Sequence, residues 1–207
     1  MANICCNKYA FYSNDESTDE LKRFHKNLSA IMETPTKDST IGLDLVVTMH
    51  GLDCNKIACK GTIDNLGDYS PESNFFTLNS DTAWAPTEGL WKVVTAQYKG
   101  VSFVYIAEEC GANIYVNTDA EGLYLPERYL LEICGDALIP DGWYANQEKP
   151  DYLDIRDYFN NFDDLMDYCT ELTGKNFDTL KELQVYISDH FDEEANTIAK
   201  VIEFTDE

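Results

Sequence analysis

The chain has 207 residues, a net charge of −23 and ample apolar and aromatic content, enough for one generous domain or two small ones. No run of about 18 apolar residues is present, which argues against a membrane span. The N-terminus MANICCNKYAF has no basic segment followed by a long apolar core, which argues against a signal peptide, so a cytoplasmic protein is expected.

The charge is regional. Residues 1–100 hold 13 acidic and 9 basic side chains, a net of −4, and the remainder holds 25 and 6, a net of −19. A field of that sign repels phosphate backbones and anionic membranes, so neither is an expected partner, while basic proteins are drawn in. The seven cysteines are odd in number. Their only groupings are the neighbours Cys5 and Cys6 and the pair Cys54-x4-Cys59, whereas a zinc site wants two close pairs. They read as reduced, mostly core thiols, and no cofactor is expected.

In chain order, Ile4 to Tyr12 reads as a first strand. Ser17-Thr18-Asp19-Glu20 is a capping-box pattern, and Leu21, Phe24, Leu28, Ile31 and Met32 then recur at helical spacing until Pro35. Ile41 to Leu52 leans to a short helix. Ile57 to Leu66 and Phe75 to Asn79 read as two strands joined as a hairpin. Pro86 suits a helix start, with Leu90, Trp91, Val94 and Tyr98 as the buried face and Gly100 as the stop. Three strands are expected after it: Val101 to Ala107, Asn113 to Asn117, and one within Gly122 to Cys134.

From Gly135 the composition turns to prolines and turn formers, which places a boundary between a core domain, 1–135, and an acidic, mainly helical extension, 136–207. Phe162, Leu165, Met166, Cys169 and Leu172 form one stripe, ended by Gly174. Phe177, Leu180, Leu183, Ile187 and Phe191 form another, and IAKVIEF reads as a final strand.

The order strand, helix, strand, strand, helix, strand from Ile4 to Ala107 is that of a ferredoxin-like α+β sandwich, an antiparallel sheet with helices on one face. Four segments carry a resemblance. Ser80-Asp81-Thr82-Ala83-Trp84-Ala85-Pro86, Ala107-Glu108-Glu109-Cys110-Gly111, Asn3-Ile4-Cys5 and Lys60-Gly61-Thr62 resemble motifs of the Api-ninety-two-like proteins of phages, plasmids and conjugative elements. That family's two central motifs usually end in two prolines and in Glu-Pro-Gly, where this chain has Ala85-Pro86 and Glu109-Cys110-Gly111. The resemblance covers about residues 1–135. It implies a ferredoxin-like fold on a mobile genetic element and no established activity.

Trp84 and Trp91 flank the second helix and are expected in the core, and Asp81 is expected to accept hydrogen bonds from that helix's free amides. Glu108 and Glu109 are consecutive, so on a strand they point to opposite faces; in a turn they would converge with Asp81 around a hard cation. His25, His50 and His190 are scattered, with no nucleophile motif, phosphate loop or HExxH.

The acids of the extension remain: Asp163, Asp164, Asp167, Glu171, Asp178, Glu182, Asp189, Asp192, Glu193 and Glu194. Residues 149–207 hold 16 acids against 5 bases, a net of −11. They predict a non-enzymatic, DNA-mimicking interaction protein of a phage or mobile element. Its partner would be a basic, nucleic-acid-binding host protein such as a restriction or CRISPR nuclease, making it an anti-restriction or anti-CRISPR inhibitor. The alternatives are a small metal-dependent enzyme or metal-binding protein with a pocket at Asp81, Glu108 and Glu109, and a structural accessory protein of DNA transfer or virion assembly.

Overall fold

Strand β1 (Ile4–Ser13) turns Tyr9 and Phe11, both fully buried, to one face, and it is paired along both edges. A computed structural model describes residues 3–14, 18–35, 40–70, 72–135, 139–144, 153–191 and 197–206. These fall into two compact units, Met1–Leu125 with Thr205–Glu207, and Pro126–Phe204.

The first unit continues with α1 (Asp19–Met32), β2 (Ile41–Gly42), α2 (Leu43–Met49), β3 (Gly61–Leu66), β4 (Phe75–Ala83), α3 (Glu88–Thr95), β5 (Val101–Glu109) and β6 (Ile114–Asn117). Its strands lie in the order β2-β3-β4-β1-β5-β6, every neighbouring pair antiparallel. The α1 stripe is buried at Leu21, Phe24, Leu28 and Ile31, at the spacings that keep one helix face inward. Phe24 meets Phe11 edge to face, with ring centroids 5.0 Å apart. Phe11 also packs on Trp91 of α3 at 5.1 Å, so α1 and α3 share one sheet face. Burying such side chains stabilises by about 1.5–3 kcal/mol each.

Two helix starts differ from expectation. Thr18 is the N-cap of α1 without a side-chain bond, and the capping-box Ser17 lies outside the described residues. Helix α3 starts at Glu88 with Thr87 as N-cap, and Asp81 makes no cap because β4 runs on to Ala83 and keeps it within the sheet. The amide of the N-cap itself is instead served by a buried phenol: Thr87 N–H donates to Tyr9 Oη at 3.2 Å.

The second unit contains β7 (Tyr129–Gly135), β8 (Leu153–Phe159), α4 (Phe162–Thr173), α5 (Leu180–His190) and β9 (Ile198–Glu203), with the antiparallel order β8-β7-β9. The division therefore falls at Leu125 and not at 135, because β7 is the central strand of the second sheet, bonded on both sides. Beside its two helices this unit has a three-stranded sheet of its own. Strand β8 was not anticipated. Leu165, Met166, Cys169 and Leu172 of α4 and Leu183 and Ile187 of α5 share one core with Leu131, Ile133, Leu153, Ile155 and Val201 of the strands. The fold is thus mixed α+β, with antiparallel sheets and five helices among the described residues. No helix among them is long and apolar enough to cross a membrane.

Candidate functional site

Four segments far apart in the sequence meet at one end of the first sheet. Ala83 N–H donates to Lys60 O at 3.2 Å and Trp84 N–H to Asn3 O at 3.0 Å. Cys6 of β1 sits directly between Asp81 of β4 and Glu108 of β5, and Thr62 of β3 lies on the far side of Asp81. Directly opposite residues share a face, so Thr62, Asp81, Cys6 and Glu108 form one row across four strands. The junction is tight at Gly61, where a Cβ would run into the Asp81 backbone carbonyl; a Cβ on Gly111 would have to displace the Asn3 side-chain amide.

On the opposite face the buried Asn7 ties the segments together. Its Nδ2 donates to Cys5 O at 2.8 Å, Ser80 O at 3.1 Å and Thr82 Oγ1 at 2.9 Å. Thr82 Oγ1 donates in turn to Ala85 O at 2.8 Å, which fixes the turn carrying Trp84. Trp91 is fully buried as expected, but Trp84 is 56% exposed, with φ at +73°. It leaves the core because β4 continues through Ala83 and the turn then throws the next side chain outward. A bulky residue in the left-handed region costs on the order of 1–2 kcal/mol, and here burial offsets little of that.

The carboxylates do not gather into one site. Glu108 and Glu109 point to opposite faces, as consecutive strand residues must. Glu109, 2% exposed, folds its carboxylate into the following turn, accepting from Gly111 N–H at 2.9 Å and from Ala112 N–H. It therefore does not join Asp81 and Glu108. Among the described residues no group of three or more His, Cys, Asp or Glu is placed to hold a metal ion.

The thiols there are held protonated. Desolvation first, and then the Asp81 and Glu108 carboxylates, push Cys6 up to about 11. Desolvation, with smaller contributions from Glu109 and Asp81, pushes Cys5 up to about 11. A thiol so shifted is a poor nucleophile at neutral pH. Burial also raises the Asp64 carboxyl, with Asp81 adding to it.

The acidic helices present a different arrangement. Asp163, Asp164, Asp167 and Glu171 of α4 are exposed, as are Asp178, Glu182 and Asp189 on or beside α5. Asp192, Glu193 and Glu194 lie outside the described residues.

Some of these acids serve their own helix. Asn161 Oδ1 accepts from Asp164 N–H at 2.8 Å while its Nδ2 donates to Asp164 Oδ2 at 2.8 Å. Thr179 Oγ1 accepts from Glu182 N–H at 3.2 Å, and Glu182 Oε2 accepts from Asp178 N–H at 2.9 Å. Asp163, in the first turn, meets the positive end of the helix dipole. Glu171 stands near the carbonyl end of α4, whose last turn contains no basic residue, and there a negative charge is unfavourable.

The histidines play structural parts. His25 Nε2 bonds Gly67 O at 2.9 Å, and His50 bridges Val46 O at 2.8 Å and Tyr98 Oη at 2.9 Å. His190 Nδ1 bonds Tyr186 O at 2.7 Å.

Sequence reasoning missed two buried polar centres. Asp119 Oδ2 accepts from Tyr124 N–H at 2.6 Å and Leu125 N–H at 2.8 Å, and Asn117 Nδ2 donates to Leu125 O at 2.9 Å. Glu132 of β7 is 5% exposed and ion-paired with Arg156 of β8 and, at 2.9 Å, with Lys200 of β9. The Asn-Thr-Asp run after a strand was a turn signal that went unread. The Glu132 cluster depends on a cross-strand register that no local pattern announces.

The chain matches no family model, no curated protein and no solved structure.

Proposed function

We propose that this is a non-enzymatic acidic interaction protein of a phage or mobile element, whose α4–α5 face occupies the nucleic-acid site of a basic partner such as a restriction or CRISPR nuclease. The observation that carries it is the exposed run on α4. Asp163, Asp164, Asp167 and Glu171 span about 12 Å of helix, one charge per ~3–4 Å, against about 3.4 Å per phosphate along one strand of duplex DNA.

The first unit is a ferredoxin-like scaffold in this reading. What supports it is the order β5-β1-β4-β3, all antiparallel, with α1 between β1 and β3 and α3 between β4 and β5 in the chain. Kinship with the Api-ninety-two-like proteins is supported by the meeting of the four resembling segments at one end of that sheet.

The test is nuclease inhibition by purified protein, wild type against the triple variant Asp163→Lys, Asp167→Lys, Glu171→Lys, which leaves the Asn161–Asp164 cap in place. Cleavage blocked by the wild type is expected to recover by at least about tenfold with the variant, as loss of a few kcal/mol of charge pairing implies. Equal inhibition by both proteins would reject the mimicry.

A further inference from the structure

We propose that the open edge of β5, with the groove between it and α3, binds an extended peptide that adds to the first sheet as a strand and brings a carboxylate to Lys99. The alternation of an antiparallel ladder lays that edge open. Tyr105 N–H donates to Thr118 Oγ1 at 2.9 Å and Tyr105 O accepts from Thr118 N–H at 2.9 Å, so both backbone groups of Tyr105 point away from β1. Strand β1 pairs with β5 in unbroken register from Val101 to Glu108, so the N–H and C=O of Phe103, two residues back, point the same way. Strand β6 pairs with β5 only from Ile106 onward, and no described residue bonds the Phe103 backbone on that side.

Sheets usually guard such an edge. At the other border of this sheet the edge strand β2 is only two residues long, whereas Val101-Ser102-Phe103-Val104 has no charge, proline or bulge to repel an added strand. Its unpaired N–H and C=O groups are a template for strand addition. Beside it lies a groove of about 600 Å³, walled by Phe103 and Tyr105 on the sheet side and by Thr95 and Ala96 at the end of α3. Phe103 shares the face of Phe11, on which Trp91 of α3 packs. A peptide residue opposite Phe103 has its side chain on that same face, so an apolar group there enters the groove.

Charge sets the other feature of the occupant. The charged residues among those lining the groove are Glu88, Lys92 and Lys99, and Glu88 already holds Lys92 at 2.6 Å. Lys99 is exposed and makes no ion pair among the described residues, so this end of the groove is positive on a chain of net −23. A peptide antiparallel to β5 runs in the direction of β6 and ends beside Val101, where an acidic side chain or the terminal carboxylate meets Lys99. A second copy of this chain is the poorer occupant, because two bodies of −23 repel.

The experiment selects displayed peptides with free C-termini on the full-length protein, then follows β5 amide hydrogen exchange by NMR with the enriched peptide added. In dilute free protein the Phe103 amide is expected to exchange at least about tenfold faster than that of Val104, which faces β1. Enriched peptides are expected to carry an apolar residue followed two or three places later by an acid or by the C-terminus, and to slow Phe103 exchange. Lys99→Glu, at an exposed position, is expected to weaken binding by about tenfold or more. Removing the peptide's carboxylate, by amidation of its end or by Asn or Gln for an acidic side chain, is expected to do the same and tells the two sources apart. The proposal is overturned by a Phe103 amide as slow as that of Val104 in dilute free protein, by no enrichment, or by binding indifferent to Lys99→Glu and to loss of the carboxylate. Protection of Phe103 that grows with protein concentration in the absence of peptide would assign the edge to a second copy and overturn it as well.

Discussion

Trp84 holds a positive φ of +73° while 56% of its surface meets solvent, so its backbone strain has little burial to offset it. Replacing it by glycine is expected to raise the unfolding free energy by about 1 kcal/mol in urea titrations, since glycine adopts this conformation freely; a fall would mean that the indole packs on its surroundings. Trp91, fully buried beside Tyr9 and Phe11, is the contrast. Trp91→Ala is expected to cost about 3–5 kcal/mol in the same assay.

Cys5 gives a pH dependence. Its folded pKa is raised to about 11 from 9.0, so its contribution is complete below pH 9 and is lost as pH climbs through 11, because the unfolded chain gives up the proton first. Stability is expected to fall across that window, and less so in Cys5→Ala, as alkaline unfolding curves would check.

Both tryptophans were legible as aromatics flanking a helix, but not which of them is buried. That depends on where β4 stops, and its four further residues, Ser80 to Ala83, move Trp84 from helix start to exposed turn. The same extension kept Asp81 in the sheet and away from the helix cap.

Among the elements, the two C-terminal helices were the most legible, because of their apolar stripes and because Gly174, at φ +69°, ends α4 where expected. Asn161→Ala removes the reciprocal bond with Asp164 and is expected to cost about 1 kcal/mol by thermal or urea unfolding.

Strand β8 was illegible for a physical reason. Leu153, Ile155 and Phe159 face the core, but Asp154, Arg156 and Asp157 break the run with charge, and β propensity alone cannot outweigh that. What makes it a strand is pairing with β7, including Arg156 opposite the buried Glu132. Strand β7 itself was expected, but as part of the core domain 1–135. Its two-sided pairing is a long-range fact that composition does not carry.

For the whole molecule, the charge divides with the units. Pro126–Phe204 holds 19 acidic against 6 basic residues, a net of −13, leaving −10 to the longer first unit. The regional acidity was plain in the sequence; the exposure of the α4 run and the capping duties of Asp164 and Glu182 needed the structure. An unscreened field of this size accelerates encounter with basic partners at low salt and fades as the Debye length shrinks to about 3 Å at 1 M salt.

The most direct test of the central claim is a pull-down from the cells in which the protein naturally occurs, with wild type and the Asp163→Lys, Asp167→Lys, Glu171→Lys variant as parallel baits. The account requires a nucleic-acid-binding protein held by the wild type at low salt, released at high salt, displaced by added duplex DNA and absent from the variant. A bound set unaltered by duplex DNA and by the three reversals would contradict it.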